Sequence, residues 1–189
     1  MKMRCLCLLF ALIMLGSCLN TESNGQLDEK RAVNNATNLY LTAVASLYGN
    51  IGGVQDGEGL QGTYRGVYDY NTFTTDEAMI PIRGVNWYDG GFWQNLYLHK
   101  WTAADPELYG MWNYLFRSVM LCNHSLEMLE RNKHLLTNQQ MRAYTSEVRA
   151  IRALFYYQLM DLFGCIPMVI DTKTKLGQMV QRSRSEVSV

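Results

Sequence analysis

An excess of charge of either sign is missing from this chain: 17 Lys and Arg face 17 Asp and Glu over 189 residues, and the formal net charge is zero. The basic residues are scattered, so the clustered groove that a nucleic acid requires is not available and nucleic acid is excluded as a partner. Cysteine is scarce where it could staple a fold. Five occur, but Cys5, Cys7 and Cys18 fall in the first 18 residues, leaving Cys122 and Cys165. Two thiols make no disulfide framework, and both sit among apolar neighbours, which marks them as buried, unpaired cysteines. His99, His124 and His134 share no metal-ligand spacing with one another or with Cys122; neither a metal site nor a cofactor is expected. No apolar stretch after the first 17 residues is long enough to suggest a transmembrane helix.

The one short apolar run, Leu6 to Leu15, follows Lys2 and Arg4 and ends in Leu15-Gly16-Ser17-Cys18. It is too short to cross a hydrocarbon core of about 30 Å as a stable helix. Basic residues first, a short apolar run, then small residues before a cysteine is the layout of a bacterial lipoprotein signal, in which the Cys18 thiol carries the lipid. Residues 1–17 are therefore expected to be a signal peptide, 18–26 a flexible polar tether, and 27–189 a folded domain. Asn20-Thr21-Glu22 faintly echoes the acidic signal that sends lipoproteins to the outer face.

Further along, the spacing of Ala36, Tyr40, Val44 and Leu47 predicts a helix from about Asp28 to Tyr48, with Gly49 just past its end. Seven glycines between Gly49 and Gly66, without a Gly-Lys-Ser/Thr, read as a long surface loop rather than a phosphate cradle. Tyr64 to Trp101 mixes aromatics, glycine and charge with no helical or strand repeat, the kind of segment where function sits. Asp105-Pro106-Glu107 opens a long amphipathic helix, with Asp105 as its cap and Leu108, Met111, Leu115, Val119, Cys122, Leu126 and Leu129 as its stripe. Thr137 and Gln140 form a capping box for a second long helix that carries Val148, Ile151, Phe155, Leu159 and Leu162, ends at Gly164, and cannot continue through Pro167. The short link between them makes an antiparallel pair, the unit of a helical repeat. Ser183 to Val187 reads as the cap of a further helix, so the chain is expected to be the amino-terminal part of a longer protein.

Three stretches in this order resemble the SusD-like (RagB/SusD) outer-membrane lipoproteins of Bacteroidetes. They are Thr75-Asp76-Glu77 with Ile80-Pro81-Ile82-Arg83-Gly84 and Trp87-Tyr88-Asp89-Gly90-Gly91; Glu147 to Tyr157 running into Asp161-Leu162-Phe163-Gly164 and Ile166-Pro167; and Arg182 with Ser183 to Val187. The resemblance implies a mostly α fold, a tetratricopeptide-like helical-repeat scaffold with an irregular loop-rich insertion. It also implies a non-catalytic lid that binds oligosaccharides, or in some members peptides, and passes them to a SusC-like TonB-dependent transporter of the outer membrane.

Sugar capture needs flat apolar surface for C–H faces and forked polar groups for paired hydroxyls. Arg83, Asn86, Trp87 and Asp89 supply that mixture within one loop and are the candidate ligand residues. Asp76 and Glu77 are expected to pin the loop by pairing with Arg83, and Tyr88, Trp93 and Trp101 are weaker candidates. Trp87 could instead pack against the helices. Glu147, Arg149 and Arg152 read as charges paired between helices. A lipid-anchored surface glycoside hydrolase is the competing class, but neighbouring carboxylates such as Asp76 and Glu77 cannot flank a glycosidic bond at the required separation. A purely structural scaffold is the third.

Overall fold

A computed structural model describes residues 32–53, 58–60, 66–175 and 178–187. The signal peptide, Cys18 and the tether lie outside the described residues. From Val33 onward the chain forms one compact unit, and it is mostly helical.

Asn35 starts helix α1 (Ala36–Tyr40) by accepting the Asn38 N–H on its side chain at 2.9 Å. The helix passes without interruption through a π-helical turn (Leu41–Ala45) into α2 (Ser46–Gly52). Residues 28–31 of the expected helix lie outside the described residues; among the described ones α1 starts at Ala36, and the helix runs through Gly49 instead of stopping before it. The real terminator is Gly53, at φ 82° and ψ 151°. A Cβ there would lie 2.6 Å from the Glu58 carbonyl carbon, whereas one on Gly49 would meet open space. The π turn widens the helix by about one residue and shifts the buried row. Leu39, Ala43, Val44, Leu47 and Asn50 are buried, while Ala36 and Tyr40 are only partly covered.

The glycine-rich segment is not simply a surface loop. The Leu60 N–H returns to the Ile51 carbonyl at 2.9 Å, and Glu58 is buried where Arg117 of the next long helix reaches it as an ion pair. A carboxylate in that position requires a cation, which a sequence cannot show at this separation. Two short helices, α3 (Val67–Phe73) and α4 (Phe92–Tyr97), interrupt the stretch that showed no repeat. Each spans two turns or fewer, too short to display a period. They bury Val67, Tyr70, Trp93 and Leu96, with Phe73 edge-on to Trp93 at 5.3 Å.

The body of the fold is α5 (Pro106–Arg131) against α6 (Asn138–Phe163). They are antiparallel, since Trp112 meets Phe163 while Asn123 meets Arg152. The expected stripes are the core: Met111, Leu115, Val119, Cys122 and Leu129 face Val148, Ile151, Phe155 and Leu159, with Leu108, Leu126 and Leu162 at its margin. The Thr137–Gln140 capping box forms, with both reciprocal bonds at 3.0 and 3.2 Å. Pro106 is the first residue of α5, but Asp105 does not cap it by side chain. Its carboxylate turns back to accept the Thr102 N–H at 2.7 Å.

Beyond Gly164 the chain makes β1 (Ile166–Pro167), antiparallel to β2 (Gln181–Arg182), and then α7 (Arg184–Val187). Between the strands, residues 169–172 are clamped onto the helix pair. The Tyr156 hydroxyl accepts the Val169 N–H at 2.6 Å and donates to the Val169 carbonyl at 2.8 Å. The Asn123 amide donates to the carbonyls of Val169 and Asp171, Arg152 to that of Ile170, and the Thr172 hydroxyl to Glu127. Glu147 and Arg152 accordingly take neutral partners in place of the charged pair expected of them. Glu147 and Arg152 stand about 140° apart around α6, so Arg152 meets Asn123 while Glu147 accepts the hydroxyls of Tyr40 (3.1 Å) and Tyr48 (2.7 Å). Those bonds hold both tyrosine pKa values above the ordinary phenol value. Among the described residues no helix is long and apolar enough to cross a membrane.

Candidate functional site

The loop between α3 and α4 is shaped by its own backbone before any ligand is considered. Arg83 and Asn86 exchange both main-chain hydrogen bonds, at 3.1 and 3.0 Å, closing a two-residue turn over Gly84 (φ 63°) and Val85. A positive φ at the first central position alone is the sign pattern of a type II′ hairpin turn. Directly after it Trp87 (φ 64°) and Asp89 (φ 50°) both hold left-handed backbone, a conformation that costs a side-chain-bearing residue energy and persists only where the surroundings enforce it.

The enforcement comes from α4. The Gln94 amide donates to the carbonyls of Ile80 (3.1 Å) and Trp87 (3.4 Å), and the buried Trp93 indole N–H donates to Asp89 Oδ2 at 3.1 Å. Trp93 is therefore a core residue that anchors the loop from beneath. Trp87 is left 55% exposed, which excludes the alternative in which it packs against the helices. It walls a cavity of about 230 Å³ with Met79, Ile80, Pro81 and Arg83.

Of the candidate residues, the structure thus brings Arg83 and Trp87 together on one cavity. Asn86 lies exposed at the turn, and Asp89 is exposed but shares an oxygen with Trp93. Asp76 and Glu77 are exposed as well, and among the described residues neither forms an ion pair with Arg83. The loop is pinned from α4 instead, where an amide and an indole satisfy main-chain and carboxylate acceptors without burying a charge.

Trp101 carries more than its rank in the sequence suggested. It is 39% exposed and stands between two cavities. One, of about 280 Å³, is lined by Asn71, Thr74, Thr75, Leu108 and Asp161 among others; the second, of about 210 Å³, by Asp89, Gly90, Asn95, Asp105 and Glu107. Asp89 places the second cavity at the foot of the Trp87 loop. The only signal in the sequence was the density of tryptophans, which does not distinguish a core ring such as Trp93 from a wall such as Trp101.

Two exposed indoles with guanidinium, amide, hydroxyl and carboxylate groups around them can stack on the apolar faces of a sugar and bind its hydroxyls in pairs. A further cavity of about 350 Å³ lies between α6 and α7, lined by Tyr157, Met160, Asp161, Arg184 and Ser185. Its guanidinium already donates to the Met160 and Asp161 carbonyls at the end of α6, so it serves the helix terminus. Among the described residues no His, Cys, Asp and Glu side chains group as a metal site would require.

The model of a protein family described as SusD-like, starch-binding and associating with the outer membrane, matches residues 54–188. That span holds the loop, both long helices, the clamp and α7. No curated protein and no solved structure matches the chain.

Proposed function

Since the chain belongs to the SusD-like family of glycan-binding proteins of the outer membrane, we propose that it captures an oligosaccharide along the Trp87 and Trp101 surfaces and passes it to a SusC-like TonB-dependent transporter. The observation that carries the reading is Trp87, held outward by left-handed backbone over a cavity that Arg83 shares. An apolar ring kept in water at a conformational cost has a use in water. In this reading Trp87 and Trp101 stack on pyranose faces. Arg83 offers its fork of donors to a pair of adjacent hydroxyls, with Asn86 and Asp89 adding an amide and a carboxylate. Asp76 and Glu77 are assigned no ligand contact. Cys18, acylated after removal of residues 1–17, anchors the protein through the 18–26 tether, on the cell surface where polysaccharide is met.

Capture is tested with the full chain purified without signal and lipid, by electrophoresis through gels containing amylopectin and calorimetry with maltoheptaose, followed by a broader glycan panel. Retardation that disappears in the Trp87→Ala, Trp101→Ala double variant is expected. A folded protein indifferent to every glycan in the panel would overturn the reading, and binding to a peptide panel instead would move the protein to the peptide-binding kind. The anchor is tested separately: labelled palmitate incorporated into wild type must be absent from Cys18→Ala.

A further inference from the structure

We propose that His99 is the positioning residue of the Trp101 wall, holding the indole at the angle a ligand meets; its consequence for binding rests on the function proposed above, its geometry does not. Helix α4 ends at Tyr97, and the chain reverses through bonds from the Leu98 N–H to Gln94 (2.9 Å), the His99 N–H to Leu96 (3.1 Å) and the Lys100 N–H to Asn95 (2.8 Å). His99 occupies this reversal at φ 54°, where a helix exit ordinarily takes glycine or asparagine because a larger side chain opposes the left-handed conformation. The side chain that stays despite that cost makes two specific contacts. Its Nε2 lies 2.6 Å from the carbonyl oxygen of Thr74, the residue that ends α3, so Nε2 carries the proton and donates. Its ring lies against Trp101, centroids 5.1 Å apart and planes at 58°.

The imidazole is thereby wedged between the end of α3 and the indole. Thr74 and Thr75 line the same cavity as Trp101, so the His99 bond to Thr74 sets the distance between the polar wall and the aromatic one. A merely structural residue at this turn would be matched or improved by asparagine, a usual residue at a left-handed helix exit. A positioning residue would not: asparagine has no ring to rest on Trp101 and is too short to reach the Thr74 carbonyl. Stability and binding are therefore expected to move in opposite directions.

The experiment compares wild type, His99→Asn and Trp101→Phe as full chains without lipid. Tryptophan is replaced by 5-fluorotryptophan, which gives each indole its own fluorine resonance, and the Trp101 signal is identified by its loss in Trp101→Phe. In His99→Asn the unfolding midpoint is expected to hold or rise, the Trp101 resonance to shift while that of half-buried Trp112, packed against Phe163, stays, and affinity for amylopectin to fall about tenfold, the scale of one misplaced contact. An unmoved Trp101 resonance overturns the proposal, and so does a moved resonance with unchanged amylopectin affinity. If wild type itself ignores amylopectin and the rest of the glycan panel, the binding function fails while the resonance still decides whether His99 holds Trp101. Should His99→Asn not fold, His99→Gly, at ease with positive φ, carries the same comparison.

Discussion

Among the described residues, the side-chain-bearing positions with positive φ are Trp87, Asp89 and His99, and all three belong to the candidate ligand surface or its support. Strain gathered in one place while both long helices remain regular is how a binding surface is held ready. The glycine that matters most lies elsewhere. Gly53→Ala, forced into φ 82° and against the Glu58 backbone, is expected to destabilise the fold by about 2 kcal/mol or more, read from urea denaturation, while Gly49→Ala should be neutral or stabilising. The two thiols of the folded body differ just as sharply. Cys122 is buried, and burial pushes its pKa up to about 12, whereas Cys165 is exposed. Iodoacetamide at neutral pH should alkylate Cys165 in the native protein and Cys122 only after unfolding, as peptide mapping would show; equal labelling would contradict the packing. The sequence pointed to buried cysteine for both, and missed Cys165 because its position after Gly164 turns it outward. At this scale Arg83 and Trp87 were legible as ring and fork in one loop. Trp101 was not, because exposure is a property of neighbours.

Elements were legible in proportion to their length. Helices α5 and α6 repeat their stripe over 26 residues each, enough turns for the period, the caps and the terminating glycine to agree. Helices α3 and α4 offer 7 and 6 residues, and the π turn in the first helix leaves no mark on composition. The clamp at 169–172 was likewise invisible, since it depends on side chains of α5 and α6 meeting main chain more than ten residues away. Its energetics can be tested at one atom. Tyr156→Phe leaves the buried Val169 N–H without its partner and is expected to cost about 1–3 kcal/mol, with faster hydrogen exchange at Val169; wild-type stability in the variant would show that the clamp is incidental. The clamp should also loosen in acid. The Lys173 N–H, followed by groups of Thr174, holds the Asp171 carboxyl below its usual pKa, and the Thr172 hydroxyl does so for Glu127. A lowered folded-state pKa gives stability that is complete above the ordinary carboxylate range and is lost as the pH falls through the lowered values. Asp171→Asn should flatten that dependence in urea titrations carried from pH 7 to pH 3.

For the whole molecule, membership of the SusD-like family states the kind of protein, and the surface around Trp87 and Trp101 proposes where it works. If that surface is the site, a saturating glycan must stabilise the fold by linkage. At a concentration about a hundredfold above Kd the gain is about 2.7 kcal/mol, visible as a raised Tm in wild type and missing in the Trp87→Ala, Trp101→Ala double variant. Ligand-induced stabilisation that survives both substitutions would relocate the site. The amino-acid sequence alone determined the helix pair, its caps and its core stripes, because periodicity and capping act over neighbouring residues and are written in their order. It also carried the family through three motifs in a fixed succession. Tertiary structure decided which tryptophan is core and which is wall, which polar partners meet Arg152 and Glu147, and what pins the loop. Those outcomes depend on groups far apart in the chain being brought within hydrogen-bond reach, and no local pattern encodes that distance.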